Sequence, residues 1–316
     1  MLSQPELLGS TWNPDFYGEE LFLRDFVRDS LRVEVDGHNI PVNRAFLREV
    51  LSRPPCDLET VEFRQGILLE LEANPDLLEA TRQLYSKLYY LLSMFMAWPE
   101  RARLDPTVFR LEILENARQA VDFLASEFPS ARSGLGRLGE AGVEIQASKE
   151  YKLLTDLLDY ENHLAKLTFR IRLGADGKIR ELTLEDLTEN AKNPFYRKPW
   201  RRLADRLALM RRGYEFSRKE VVNRVVGRAF LHIRSWLRPL LQVMGQLSFY
   251  LSAISFKEEA ESHGLQVALA QVDGGHSMRL EGLFNPLLFS QGTPVPCDIV
   301  ADSKETIMVI TGPNSG

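Results

Sequence analysis

Residues 222–262, VNRVVGRAFLHIRSWLRPLLQVMGQLSFYLSAISFKEEAES, decide how this chain is built. Apolar side chains recur at Val222, Val226, Phe230, Ile233, Leu237, Leu240, Met244, Leu247, Leu251 and Ile254, a span of 32 positions in nine steps. The mean step of about 3.56 falls between the coiled-coil repeat of about 3.5 and the straight-helix value of about 3.6. A single helix from Tyr214 to Ser262 is therefore expected, about 70 Å long at about 1.5 Å per residue. Pro239 lies inside it and predicts a kink or local break, because proline lacks the N–H and crowds the preceding turn.

Upstream of this element the texture is also helical from Asn43 onward. AFLREVL runs to a break at Arg53-Pro54-Pro55, and Asp57 with Glu59 and Thr60 then suits an N-cap and acidic first turn for DLETVEFRQGILLELEAN. Pro75 opens a helix that ends before Pro99. Pro106 sits at an N1 position for TVFRLEILENARQAVDFLASEF, and a further helix is expected over roughly Lys149–Leu167. Residues 1–42 carry turn signals around short apolar pieces and read as a lead-in segment. From Leu167 to Leu187 the pattern switches to alternation, LTFRIRL then KIRELTL, joined by Gly174-Ala175-Asp176-Gly177, which predicts a β-hairpin. After Gly264 come QVALAQVD, MRLEGLF, PCDIVAD and ETIMVIT, separated by Gly, Pro and Asp clusters and expected as short strands. No internal repeat of fixed period is present.

Composition bounds the possibilities. The 316 residues carry 39 Lys and Arg against 44 Asp and Glu, a net charge of −5, which argues against wholesale coating of nucleic acid. At 44% apolar the chain is of globular type, and its length suits about two domains of about 150 residues each. Cys56 and Cys297 are 241 positions apart, neither a disulfide framework nor a zinc-ligand spacing. The N-terminus has no basic segment followed by an apolar one. Leu88–Trp98 is 11 residues and Trp236–Phe256 carries Arg238, Pro239, Gln242 and Gln246, whereas a bilayer span needs about 20 predominantly apolar residues. A soluble, cytoplasmic protein is expected.

Charge is unevenly placed. From Lys192 to Arg228 there are twelve basic and three acidic residues, a local charge of +9 that leaves −14 for the rest. That asymmetry is the footprint of a polyanion partner. Lys192, Arg197, Lys198, Arg201, Arg202, Arg206, Arg211 and Arg212 are the candidate phosphate contacts, with Phe195, Tyr196, Trp200, Tyr214 and Phe216 interleaved to pack or stack. The alternative is a solvated helical face whose arginines pair with neighbouring acids.

At the other end, Thr311-Gly312-Pro313-Asn314-Ser315-Gly316 directly follows the apolar TIMVI. A phosphate-binding loop needs glycines so that backbone N–H groups turn toward phosphate oxygens. It then needs Gly-Lys-Ser/Thr opening a helix, the lysine for the phosphates and the hydroxyl for magnesium. Gly312, Pro313, Asn314, Ser315 and Gly316 match the first part, and the expected continuation falls after Gly316.

The TGPN form resembles the nucleotide-binding loop of the MutS mismatch-repair ATPase family, which reads TGPN-x-G-G-K-S/T. The likeness extends upstream in order: Leu283-Phe284-Asn285-Pro286-Leu287-Leu288 and Val295-Pro296-Cys297-Asp298-Ile299 stand where the family has an Arg-His-Pro segment and a V-P-N-D-I segment. Asn285 and Cys297 depart from the usual histidine and asparagine. QLSFYLSAISFKEEAESHG resembles the end of the family's long lever helix, and NRAFLREVLSRPPCDLETVEFRQGILLEL the opening of its lever domain. The resemblance covers roughly residues 43–316.

The resemblance implies a mainly α fold: a long-helix lever domain over 43–262, with 167–213 as a reduced clamp-like tip holding the DNA backbone, then over 263–316 the first strands of an α/β P-loop ATPase domain truncated inside the nucleotide loop. It implies ATP and Mg²⁺ as cofactors, DNA as partner, a homodimer joined through the ATPase domain, and a nucleoid association in a bacterial cell. No Phe-x-Glu mismatch reader precedes the lever. These 316 residues, lacking the loop lysine, the hydroxyl and a Walker B carboxylate, are expected not to hydrolyse ATP or to hold it stably. The competing reading is a helical scaffold or DNA-binding module without nucleotide dependence. Other clusters carry less: His38, His163, His232, His263 and His276 lack ligand spacing. Asp156, Asp159 and Glu161 read as a solvated helical face, Asp273-Gly274-Gly275 as a turn, and Ser315 lies outside any G-x-S-x-G.

Overall fold

A computed structural model of the chain describes residues 14–55, 57–98, 106–162, 165–173, 179–189, 226–227, 230–231, 233–272, 277–303 and 306. This part is mainly helical, with a few short antiparallel strands. It divides into two compact units. The first is drawn from Met1–Tyr89, Glu127–Gly139 and Leu241–Gly316, the second from Tyr90–Ser126 and Glu140–Leu240.

The first unit begins with helices α1 (Pro14–Glu20) and α2 (Leu23–Asp29) and a hairpin of β1 (Val33–Val35) and β2 (His38–Ile40). The hairpin turns on Asp36 and Gly37, both at positive φ (51° and 73°), which is the two-residue turn whose twist matches paired strands. Val27, Val33 and Val35 are buried, so residues 14–42 are packed against their unit. Helix α3 (Arg44–Ser52) is capped by Asn43, whose side chain accepts the Phe46 N–H at 3.1 Å. Helix α4 (Leu58–Ala73) has the N-cap expected from sequence: the Asp57 carboxylate accepts the Thr60 N–H at 2.7 Å. Asn74 then works in two directions. Its N–H closes α4 on the Glu70 carbonyl at 3.0 Å, and its side chain accepts the Leu77 N–H at 3.2 Å to open α5 (Pro75–Met96).

Leu47, Ile67, Leu71, Leu84, Tyr85, Leu88, Phe128, Leu135, Leu247 and Leu251 are buried core residues of this unit. Tyr85 donates its hydroxyl to the Pro41 carbonyl at 2.9 Å, which satisfies the one polar atom its burial would strand.

In the second unit, α6 runs Pro106–Glu127 from the proline the sequence marks, and α8 covers Lys149–Asn162, shorter than the expected reach to Leu167 because β3 begins at Ala165. Between them lies α7 (Gly136–Ala147), in a glycine-rich stretch for which no helix is expected from sequence. The glycines are needed there: a Cβ on Gly142 would meet the Ala125 backbone nitrogen at 2.6 Å. Asp122 on α6 ties the three helices, accepting hydrogen bonds from the Tyr151 hydroxyl and, at 2.7 Å, from Gln146 Nε2. Ile113, Leu114, Ala117, Val121, Leu124, Leu154 and Leu158 are the buried residues these helices share.

The long helix, α9, is assigned over Arg234–Ser262, 29 residues or about 44 Å at about 1.5 Å per residue. It continues through Pro239, and the irregularity falls at Ile233, a turn immediately before its start. Pro239 costs the helix the single bond its missing N–H would give to residue 235, and the helical assignment runs on through it. Residues 226–227 and 230–231 are helical, and the expected start at Tyr214 lies outside the described residues.

After α9, MRLEGLF and PCDIVAD yield β5 (Met278–Leu283) and β6 (Cys297–Ala301), an antiparallel pair flanking the 3-10 helix Pro286–Gln291. No parallel ladder is present among the described residues. The expected strand QVALAQVD is not one over its described residues: 266–272 have no regular secondary structure.

Candidate nucleic-acid and nucleotide-binding segments

Neither predicted site is itself described. Gly312, Pro313, Asn314, Ser315 and Gly316, and the basic positions Lys192, Arg197, Lys198, Arg201, Arg202, Arg206, Arg211 and Arg212, lie outside the described residues. The structure does describe what leads into each of them.

The basic stretch follows the hairpin β3 (Ala165–Leu173) and β4 (Ile179–Glu189), predicted from alternation and formed as an antiparallel pair. Its register resolves a defect in the sequence. On β3 the apolar residues Leu167, Phe169, Ile171 and Leu173 are two apart, but on β4 Ile179 to Leu182 and Leu184 to Leu187 are three apart. A regular ladder would put them on opposite faces. Two irregularities, at Thr168/Phe169 and at Arg172/Leu173, restore the match, pairing Leu167 with Leu187, Phe169 with Leu184, Ile171 with Leu182 and Leu173 with Ile179. In the same register Lys166, Arg170 and Arg172 of β3 pair with Thr188, Thr183 and Glu181 of β4. The basic residues of the hairpin are thus concentrated on β3, with Arg180 the one on β4.

The nucleotide-loop segment follows β6. The β5–β6 pair is locked by one polar contact: Gly282, at φ +68°, donates its N–H to the Asp298 carboxylate at 2.7 Å across the register shift. Asp298 belongs to the Val-Pro-Cys-Asp-Ile segment singled out in sequence. Asn285, from the other segment, caps the 3-10 helix by accepting the Leu287 N–H at 3.0 Å. Behind these strands Phe256 of α9 and His263, just past its end, meet Phe284 and Phe289, with His263 stacked on Phe289 at 4.7 Å and 14°. Phe26 of α2 closes on Phe256 edge-on at 5.6 Å. This aromatic joint, invisible to periodicity because its members are far apart in sequence, fixes the C-terminal segment against the end of α9.

Three ion pairs hold the same end of α9 within its unit: Arg32 to Glu259 at 3.3 Å, Arg82 to Glu258 at 3.0 Å and Lys257 to Glu72 at 3.1 Å. Such partly exposed pairs set geometry more than stability.

A cavity of about 380 Å³ is lined by Glu62, Phe63, Gly66, Arg132, Ser133, Gly134 and Arg137. Arg137 lies over the Phe63 ring at 4.7 Å. The backbone donors that would hold an anion there already serve Glu70, which accepts the N–H groups of Arg132 and Ser133 at 2.6 and 2.9 Å. Among the described residues no three His, Cys, Asp or Glu side chains group as metal ligands, and no helix is long and apolar enough to cross a membrane.

Family models, curated proteins and solved structures contain no match to this chain.

Proposed function

We propose that the chain is a MutS-like DNA-binding ATPase component, in which nucleotide state in the C-terminal domain moves long helices that open or close around DNA. The observation that carries this reading is the apolar TIMVI running directly into Thr311-Gly312-Pro313-Asn314-Ser315-Gly316. The order of elements supports it: a helical stack, a hairpin leading into the basic stretch, a long helix α9, then a strand pair ahead of the loop. In this reading the backbone donors of Gly312, Asn314, Ser315 and Gly316 cradle ATP phosphates, Pro313 having none to give. Lys192, Arg197, Lys198, Arg201, Arg202, Arg206, Arg211 and Arg212 hold DNA phosphates by charge, which reads DNA shape and not sequence. A second copy would complete the nucleotide site, and Mg²⁺ would accompany the nucleotide.

The nucleotide half of the proposal is tested by reading the coding sequence past Gly316. Gly-Lys-Ser/Thr next in frame, with a strand ending in Asp-Glu some tens of residues on, supports it. A natural stop codon at that point overturns the ATPase reading in favour of the helical scaffold.

A further inference from the structure

We propose that residues 265–272 form a releasable strap between α9 and the C-terminal strand pair, and that Gln65 on α4 is its clasp. The strap starts from a fixed point. Gly264, at φ +75°, ends α9 in the left-handed conformation, and Leu265 donates its N–H back to the Ala260 carbonyl at 3.0 Å while its side chain is buried. Beyond that point the chain has no regular secondary structure as far as Val272. Among the described residues, 266–272 make no backbone–backbone hydrogen bond. Their alternation, which resembles a strand in sequence, is met by half-burying Val267 and Leu269 while Gln266, Ala268 and Ala270 stay exposed. One side-chain bond holds the far end: Gln65 Nε2 donates to the Ala270 carbonyl at 2.7 Å, across 205 positions of sequence.

A segment without ladder bonds, anchored at one end and pinned at the other, among the described residues, by one neutral hydrogen bond, opens at small cost. Global unfolding must break the whole core, so the strap is the low-stability link of its unit. Its state decides whether β5 and β6 ride with α4 or are held through Leu265 and the aromatic joint. This inference does not rest on nucleotide binding or on DNA.

Limited thermolysin digestion of the full chain tests it, because the protease cuts before Val, Leu and Ala and must draw an extended segment into its cleft. With cleavage slow relative to reclosing, the rate follows the open population. Gln65→Ala is expected to raise cleavage within 266–272 about five-fold, the equivalent of about 1 kcal/mol for one neutral hydrogen bond. Cleavage elsewhere should be unchanged. Gln65→Lys, which keeps a donor of similar reach, is expected to return the rate toward that of the parent. Unchanged cleavage in Gln65→Ala overturns the strap, and so does an equal rise at all sites, which would mean that Gln65 supports the whole unit.

Discussion

The Glu70 carboxylate on α4 accepts the Arg132 backbone N–H at 2.6 Å and the neighbouring Ser133 N–H at 2.9 Å. One helix side chain thus fixes the loop that opens α7, where backbone donors would otherwise lack partners. Burial pushes the Glu70 carboxyl up, but the bonds from Arg132 and Ser133 outweigh it and hold the group below its ordinary range.

Glu70→Gln keeps the shape and loses the charge-assisted part of both bonds. It should destabilise the chain by about 1–2 kcal/mol. The sign with pH follows from the depressed carboxyl: the contribution is present above the unfolded value of about 4.3 and is lost as pH falls through the lower folded value. Chemical denaturation of parent and variant should therefore differ at pH 7 and converge at strongly acid pH.

Three tyrosines predict the alkaline limb. Burial raises Tyr85 and Tyr250, the latter to about 12, and burial with the Asp122 hydrogen bond raises Tyr151. Groups raised in the folded state give stability that is complete below the unfolded value of about 10 and disappears as pH rises through the folded value. Stability should fall above about pH 10. Tyr151→Phe, which cannot ionise, should cost about 1 kcal/mol at neutral pH and flatten that fall.

Glycine substitutions separate packing from propensity. At Gly142 a Cβ would lie 2.6 Å from the Ala125 nitrogen, and at Gly139 2.7 Å from the Pro129 nitrogen, both backbone atoms with little room to yield. Gly142→Ala and Gly139→Ala should each cost about 1–3 kcal/mol despite the better helix former. Gly66, inside α4, has nothing within 4 Å of such a Cβ, so Gly66→Ala should stabilise by about 0.5–1 kcal/mol. Thermal melts of the three variants give the signs directly.

The hairpin gives a prediction about register. Glu185 is the residue left over between the Thr168–Asp186 and Phe169–Leu184 pairs. Deleting Glu185 should leave a continuous ladder with Leu167, Phe169, Leu184 and Leu187 still on one face. Deleting Thr183 should invert one end of β4. Backbone amide spectra should change locally for the first and throughout the hairpin for the second.

Periodicity and local caps were readable because each acts within a turn or two. The Asp57 cap, the proline starts at Pro75 and Pro106 and the β3–β4 hairpin all follow from neighbours in sequence. What was not readable depends on distant partners. Helix α7 goes unsignalled because its glycines serve close approach to residues 124–131, not helix propensity. QVALAQVD has strand alternation, but its half-buried residues need only a surface to lie on, not a ladder. The β1–β2 hairpin lies in the segment read only as a lead-in with turn signals, because its strands of three residues each are too short for a pattern. For the candidate sites, the apolar TIMVI before the loop and the basic stretch stand out in composition, and residues 307–316 and 190–225 lie outside the described residues. Asp298 belongs to a segment that the sequence marks, but its bond to Gly282 joins residues 16 positions apart and leaves no local signal.

The most direct test of the central claim is the salt dependence of DNA binding by this chain, on duplex and branched DNA, beside a variant with Arg201, Arg202, Arg211 and Arg212 changed to Glu. If these arginines hold phosphates, log K should fall linearly with log salt, and removing four contacts should flatten the slope by about 3–4 and abolish binding above about 100 mM salt. No binding by the parent chain at about 50 mM salt, or an equal slope in both proteins, would contradict DNA contact through this segment.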